Sequence, residues 1–166
     1  IFVSITLMAL LALYLAIYPA ITGYLLNKLS RTAKHTLNPY LTYLGLFPAL
    51  WVLTEWLRGW VLTGFPWIWA GYSQTLGPLS EFASFIGALG LSFVVALVAG
   101  SLMLLTQKRV FPVLIILPIL ALSAWAAPQL NPISASGKTV KVALVQGNIP
   151  QSMKWEPDAL WPTMLK

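Results

Sequence analysis

Two ionisable side chains, Glu55 and Arg58, have the spacing that could support chemistry in this chain. Residues three apart on a helix lie on the same face, so this carboxylate and guanidinium can form an ion pair. Ionisable residues beside an apolar segment are candidates for function, and an arginine there could contact a phospholipid phosphate. The structural interpretation is a pair at the end of a helix whose charged groups reach toward water and orient the helix.

Other reactive groups are absent from the sequence or isolated within it. The chain has no cysteine, so these residues form neither a disulfide nor a thiolate nucleophile. His35 lies in a basic segment without a companion ligand, and we interpret it as solvated. Glu156 and Asp158 fit a solvated turn or a helix start better than a metal site, which needs a larger ligand set. No cofactor is predicted.

The composition indicates a chain that lies mostly in lipid. Hydrophobic residues make up 58% of the sequence and charged residues 8%, whereas soluble domains carry about 25% charged residues. The eight tryptophans suit a membrane–water interface, where one side of the indole is apolar and the other is wet. The net charge of +6 is scattered at the ends of apolar segments, which disfavours nucleic acid as a partner.

The apolar segments predict a mainly α fold, a bundle of four membrane-spanning helices. Each segment is close to the roughly 20 apolar residues that a span requires. Prolines within them predict kinks, and small residues at every fourth position of the third segment predict a seam for close helix packing. The predicted spans are about 1–26, 40–57, 82–106 and 110–127. The prolines are Pro19, Pro48 and Pro118, and the seam is Ser92, Ala96 and Gly100.

Between the second and third spans, residues 58–81 predict an aromatic loop without a long helix, because glycines and prolines interrupt it. Irregular backbone cannot face hydrocarbon, so we expect this loop at the membrane interface. The basic segments 27–38 and 107–109 are expected to be cytoplasmic by the positive-inside rule. The aromatic loop and the residues after about 127 are then expected on the opposite, periplasmic side.

The composition changes after the fourth predicted span. Residues 128–138 predict a polar linker, and the alternation in Lys138–Gln146 predicts a β-strand. One strand is not stable alone, so we expect 139–166 to be the start of a larger α/β domain. The chain also begins with Ile1, and we expect it to be a fragment at both ends.

Two stretches, FPALWVLTEWLRGWVLTGFPWIWAGYSQ at 47–74 and VALVQGNIPQSMKW at 142–155, together resemble bacterial apolipoprotein N-acyltransferase. The resemblance implies a multi-pass inner-membrane bundle that carries a periplasmic nitrilase-like domain. It also implies transfer of a fatty acyl chain from a phospholipid to the N-terminal diacylglyceryl-cysteine of a lipoprotein, through a cysteine thioester. The family's Glu–Lys–Cys triad is outside these residues, so we expect the chain alone to be inactive and a W-P-E motif to follow downstream.

The same resemblance suggests substrate-binding residues, each with a structural alternative. Trp155 matches a family tryptophan near the lipid substrates, although it could be a surface aromatic residue. Phe65 and Trp67 could floor the active-site chamber and guide acyl chains, or anchor the loop at the interface. Arg58 is the candidate phosphate contact. The expected partners are the phospholipid donor, the apolipoprotein acceptor and membrane lipid. The alternative function is a non-enzymatic membrane protein, such as a transporter or scaffold piece.

Overall fold

The computed structural model describes residues 2–31, 37–130, 137 and 139–146. These residues are mainly helical, which confirms the predicted class. The chain divides into two compact units, Ile1–Ser134 and Ala135–Lys166. The helices of the first unit are α1 Phe2–Arg31, a π-helical segment Leu41–Leu46 that continues into α2 Phe47–Arg58, α3 Ala83–Thr106 and α4 Phe111–Ala126.

Two helical stretches in the described part of the chain are long and apolar enough to cross a membrane, Phe2–Arg31 and Ser80–Thr106. The apolar helix α4 has 16 residues and is therefore about 24 Å long, less than the hydrocarbon core of roughly 30 Å. The second predicted span is divided between the π-helical segment and α2. Helix length and composition thus support two of the four predicted spans.

The first helix is longer than the apolar pattern predicts, because α1 continues to Arg31. The predicted basic loop 27–38 therefore begins as helix. Lys28 and Arg31 lie in the last turn of α1, where the partial negative charge of the helix end favours cations. Pro19 lies inside α1 without ending it, and His35 lies outside the described residues.

A change of helix type precedes Pro48, where the sequence predicts a kink. Pro48 occupies the first turn of α2, and the residues immediately before α2 are π-helical. There the Phe47 N–H donates to the Thr42 carbonyl, five residues back. Proline has no N–H to donate and its ring crowds the carbonyl four residues back, and a wider turn accommodates both effects.

Helices α1 and α2 pack antiparallel. The Tyr14 hydroxyl donates to the Val61 carbonyl, just beyond α2, at 2.9 Å. Nearer the other end, the hydroxyls of Thr22 and Thr54 pair at 2.8 Å. Later residues of α1 therefore contact earlier residues of the second helix, as antiparallel packing requires.

The predicted seam of small residues on α3 packs against the aromatic loop and the π-helical segment that precedes α2. Ser92, Ala96 and Gly100 are all buried. A Cβ atom at Gly100 would collide with the carbonyl of Tyr43, so only glycine allows this approach. The prediction of a packing seam is confirmed.

The apolar pattern predicts a continuous third helix, but α3 changes direction at Gly87. This glycine has φ +66° inside α3, a conformation that glycine adopts without steric cost. The two parts of α3 are therefore set at an angle by one residue, Gly87.

The predicted strand is not confirmed. Residues 139–146, the described part of Lys138–Gln146, have no regular secondary structure. A strand is stabilised by hydrogen bonds to a neighbouring strand, and no other strand occurs in the described residues. Trp155, predicted to bind substrate, lies outside the described residues.

Candidate functional site

The charged pair, Glu55 and Arg58, lies buried at the carboxyl end of α2. The side chain of Glu55 is 2% exposed and Arg58 is 5% exposed. Glu55 Oε1 and the nearest guanidinium nitrogen of Arg58 are 3.6 Å apart. The predicted pairing is confirmed, and the interpretation that both groups reach toward water is wrong because the aromatic loop covers them.

Glu55 holds this loop through its side chain and its backbone. Its Oε1 accepts hydrogen bonds from the Ala70 N–H at 2.8 Å and from the Trp51 indole at 3.0 Å. The Trp69 indole donates to the Glu55 carbonyl at 3.1 Å. Hydrogen bonds to a charged group are stronger than neutral ones, so Glu55 is the principal attachment point of the loop.

Arg58 attaches the preceding part of the loop. Its guanidinium donates to the Ile68 carbonyl at 3.0 Å, and the Phe65 N–H donates to the Arg58 carbonyl at 2.7 Å. The Arg58 guanidinium carbon also lies 5.9 Å from the centre of the Tyr18 ring on α1, within the range of a cation–π contact. The charged pair therefore joins α1, α2 and the loop.

A tight turn brings the loop back onto the end of α2. Leu62, Thr63 and Gly64 all have positive φ, at 51°, 75° and 85°. A Cβ atom at Gly64 would collide with the carbonyl of Gly59, so glycine is required there. The two non-glycine residues hold strained backbone, which costs roughly 1–3 kcal/mol each and is offset by the loop's contacts.

The far part of the loop is attached to α3. Gly71 is buried, and its N–H donates to the Ser92 hydroxyl at 2.9 Å. A Cβ atom at Gly71 would collide with the carbonyl of Ala88. The loop is thus held at both ends, by the charged pair on α2 and by the seam residue Ser92 on α3.

A cavity of about 350 Å³ lies between α1 and α2 beneath the loop. Its apolar walls include Leu15 and Pro19 of α1, Trp51 of α2 and Ile68 of the loop, and the charged pair forms its polar end. Among the described residues, the buried side-chain polar atoms without a hydrogen-bond partner are Glu55 Oε2 and Arg58 Nε. Both atoms are fully enclosed by protein, so neither is open to the cavity.

The structure brings together some of the predicted site residues. Arg58 is buried in the charged pair. Phe65 is half-buried, and its N–H is hydrogen-bonded to the Arg58 carbonyl. Trp67 belongs to the same loop, but its side chain is 75% exposed.

Sequence reasoning missed the remaining contacts of the charged pair. Trp51 stands four residues before Glu55, a spacing at which helical side chains meet, and this signal could have identified it. Trp69 and Ala70 carry no comparable signal, because they reach Glu55 only through the fold of the loop.

Comparison with known proteins identifies relatives over nearly the whole chain. Residues 1–101 match the family model described as the apolipoprotein N-acyltransferase N-terminal domain. Proteins named apolipoprotein N-acyltransferase from Shewanella oneidensis, Vibrio cholerae and Photobacterium profundum are 66%, 41% and 37% identical to it, each over 98% of the chain. The chain spans 31–32% of the length of these relatives.

Proposed function

This chain belongs to the apolipoprotein N-acyltransferase family, and we propose that it forms membrane-embedded structure of an enzyme that acylates lipoproteins. The proposed reaction moves a fatty acyl chain from a phospholipid to the N-terminal diacylglyceryl-cysteine of a lipoprotein. The main support is the similarity over 98% of the chain to proteins with that name. The comparisons do not favour the alternative of a non-enzymatic transporter or scaffold.

In the proposed chemistry, a cysteine thiolate in a following nitrilase-like domain attacks the phospholipid ester and releases a lysophospholipid. The resulting thioester is then attacked by the lipoprotein amine, which takes the acyl chain and returns the thiol. A glutamate base and a lysine assist both steps. Because this chain has no cysteine, its own contribution is to anchor the enzyme and shape the approach of the substrates.

We propose a multi-pass arrangement in the inner membrane, with the aromatic loop and the residues after about 127 on the periplasmic side. In this arrangement the membrane bundle comprises residues 1–127, that is, the spans and the loops between them. A linker over 128–138 and the nitrilase-like domain from 139 follow. The arrangement of basic residues supports this orientation. Arg31 at the end of α1 and Gln107 at the end of α3 line one pocket, which is separate from the cavity beneath the loop. The Arg109 guanidinium carbon lies 5.0 Å from the centre of the Tyr40 ring.

The aromatic loop is the proposed path of the acyl chain. The exposed indole of Trp67 is available to contact lipid, and Phe65 is held beside it by the bond to Arg58. The role of Arg58 is then to position the loop through the Ile68 carbonyl, and its proposed contact with a phospholipid phosphate rests on its charge alone. The substrate-binding role of Trp155 rests on the resemblance of its motif alone.

The test is lipoprotein N-acylation by the full-length protein in membranes. We expect the N-terminal peptide of a diacylglyceryl lipoprotein to gain the mass of one acyl chain. Alkylation of the predicted downstream cysteine should abolish this gain. Acylation that persists after complete alkylation, or a gene without the downstream W-P-E motif, would overturn the proposal.

A further inference from the structure

A basic turn, Gln107–Arg109, joins α3 to α4 at the end of the bundle away from the charged pair. It presents two cations in succession, Lys108, which is exposed, and Arg109, which is half-buried. The Arg109 guanidinium carbon lies 5.0 Å from the centre of the Tyr40 ring, within the range of a cation–π contact. Tyr40 immediately precedes the π-helical segment, roughly 20 Å of helix before Glu55.

Lys108 occupies a backbone position at which helices commonly end with glycine. Its φ is +58°, and the hydrogen bonds around it are those of a Schellman motif. The Lys108 N–H donates to the Leu105 carbonyl at 2.9 Å, and the Arg109 N–H donates to the Leu104 carbonyl at 3.0 Å. Glycine adopts this conformation without steric cost, whereas a lysine is strained there. Such strain concentrates at functional positions.

An apolar groove opens beside the basic turn. It lies between the π-helical segment and α4 and has a volume of about 370 Å³. Its walls are open to the surroundings, since the side chain of Phe111 is 68% exposed and that of Ile115 is 42% exposed. The described residues that line it are Tyr40, Leu44, Phe111, Pro112, Ile115 and Ile116. Tyr40 therefore connects the groove to the cation of Arg109.

The cations of the basic turn have no carboxylate close to them among the described residues. Glu55 lies near the end of α2, and Glu81 precedes α3, so the 24 residues of α3 separate it from the turn. An ammonium group would be repelled by the two cations, whereas a phosphate would be attracted and hydrogen-bonded. A cationic site next to an apolar groove fits an anionic amphiphile.

We propose that the basic turn and the groove together bind an anionic phospholipid of the cytoplasmic leaflet. The phosphate accepts hydrogen bonds from Lys108 and Arg109, and one acyl chain lies in the groove. This inference rests on the membrane orientation in the proposed function, which puts the turn on the cytoplasmic side. Basic pockets between membrane helices on that side bind anionic lipid heads. The aromatic loop is on the other side, so this lipid is distinct from the acyl donor.

Native mass spectrometry of the full-length protein, released from nanodiscs of equal phosphatidylglycerol and phosphatidylethanolamine, tests the site. The wild type should retain phosphatidylglycerol in preference. Each lysine or arginine near an anionic lipid surface changes binding about fivefold, so Arg109→Gln and Lys108→Gly should each lower retention by about that factor. Lys108→Gly also removes the strain at positive φ, so its melting temperature should equal or exceed that of the wild type. Its loss of lipid is then not a loss of fold.

Two further variants separate a defined site from general surface charge. Arg31→Gln removes one cation from the same side of the membrane but lies at the end of α1, outside the groove. Because solvent-exposed charges are screened over about 10 Å, it should change retention by less than about twofold. Ile115→Trp fills the groove without changing the charge, and it should lower retention as much as the charge variants do.

Three results of this experiment would overturn the site: equal retention of the two lipids, equal losses in Arg31→Gln and Arg109→Gln, or unchanged retention in Ile115→Trp. A structure of the full-length protein in which another segment covers the groove would also overturn it. Lipoprotein acylation is measured separately. An active enzyme that retains no phosphatidylglycerol refutes only this site, and an inactive protein that retains it refutes only the proposed function.

Discussion

Replacing Glu55 with alanine should detach the aromatic loop from α2. The substitution removes the acceptor of the Ala70 N–H and of the Trp51 indole. It also leaves the buried Arg58 guanidinium without its carboxylate, 3.6 Å away in the wild type. Breaking one side of a buried ion pair costs roughly 3–5 kcal/mol, and we expect the free energy of unfolding to fall by about that amount.

Two matched variants separate the charge from the hydrogen bonds. Glu55→Gln also leaves the buried Arg58 without a carboxylate, but it retains an acceptor for the loop, so it should be about 1–2 kcal/mol less destabilising than Glu55→Ala. The double variant Glu55→Leu with Arg58→Met should be more stable than Glu55→Ala, since no unpaired charge stays buried.

Unfolding in detergent, followed by tryptophan fluorescence, measures these differences because Trp51 and Trp69 both contact Glu55. A double-mutant cycle on the two positions should give a coupling energy above about 1 kcal/mol. A loss below about 1 kcal/mol for Glu55→Ala, or strictly additive effects, would refute the view that the pair holds the loop.

Three further predictions concern packing, orientation and the loop surface. Gly100→Ala should lower stability by about 1–3 kcal/mol through overpacking against Tyr43 of the π-helical segment, whereas Gly23→Ala, with open space around it, should be neutral or stabilising. Similar melting temperatures for both would contradict the seam. A membrane-impermeant maleimide should label Leu76→Cys, which is 100% exposed, in intact spheroplasts and Gln107→Cys only after lysis; the reverse pattern would invert the proposed orientation. Trp67→Ala should reduce lipoprotein acylation by the full-length protein while leaving the melting temperature unchanged, because the indole is exposed; a fall in stability without a fall in activity would assign it a structural role.

The amino-acid sequence alone determined the features that depend on local pattern. Uninterrupted apolar residues predicted helices near the observed α1, α3 and α4, because backbone groups in an apolar segment are satisfied within a helix. The pairing of Glu55 with Arg58 followed from their spacing on one helix face. The seam followed from small residues at every fourth position, because residues with that spacing lie on one face of α3.

Two other predictions from local pattern have different outcomes: the strand is not confirmed, and the predicted end of α1 is wrong. The apolar residues of Lys138–Gln146 indicated a strand, but strand stability depends on a partner that no short segment specifies. The end of α1 was placed before Lys28 because charge ends an apolar run, although lysine and arginine are compatible with the last turn of a helix.

Only the tertiary structure decided what surrounds the charged pair. The turn at Leu62–Gly64 returns the loop to α2 and brings Ala70 to a carboxylate 15 positions earlier. The same fold joins Gly71 to Ser92 on α3. Such contacts depend on the path of the whole loop and on the close approach that individual glycines permit, and no periodicity in the sequence encodes either one. The buried pair, its two unsatisfied atoms and the cavity beside them therefore became visible only in three dimensions.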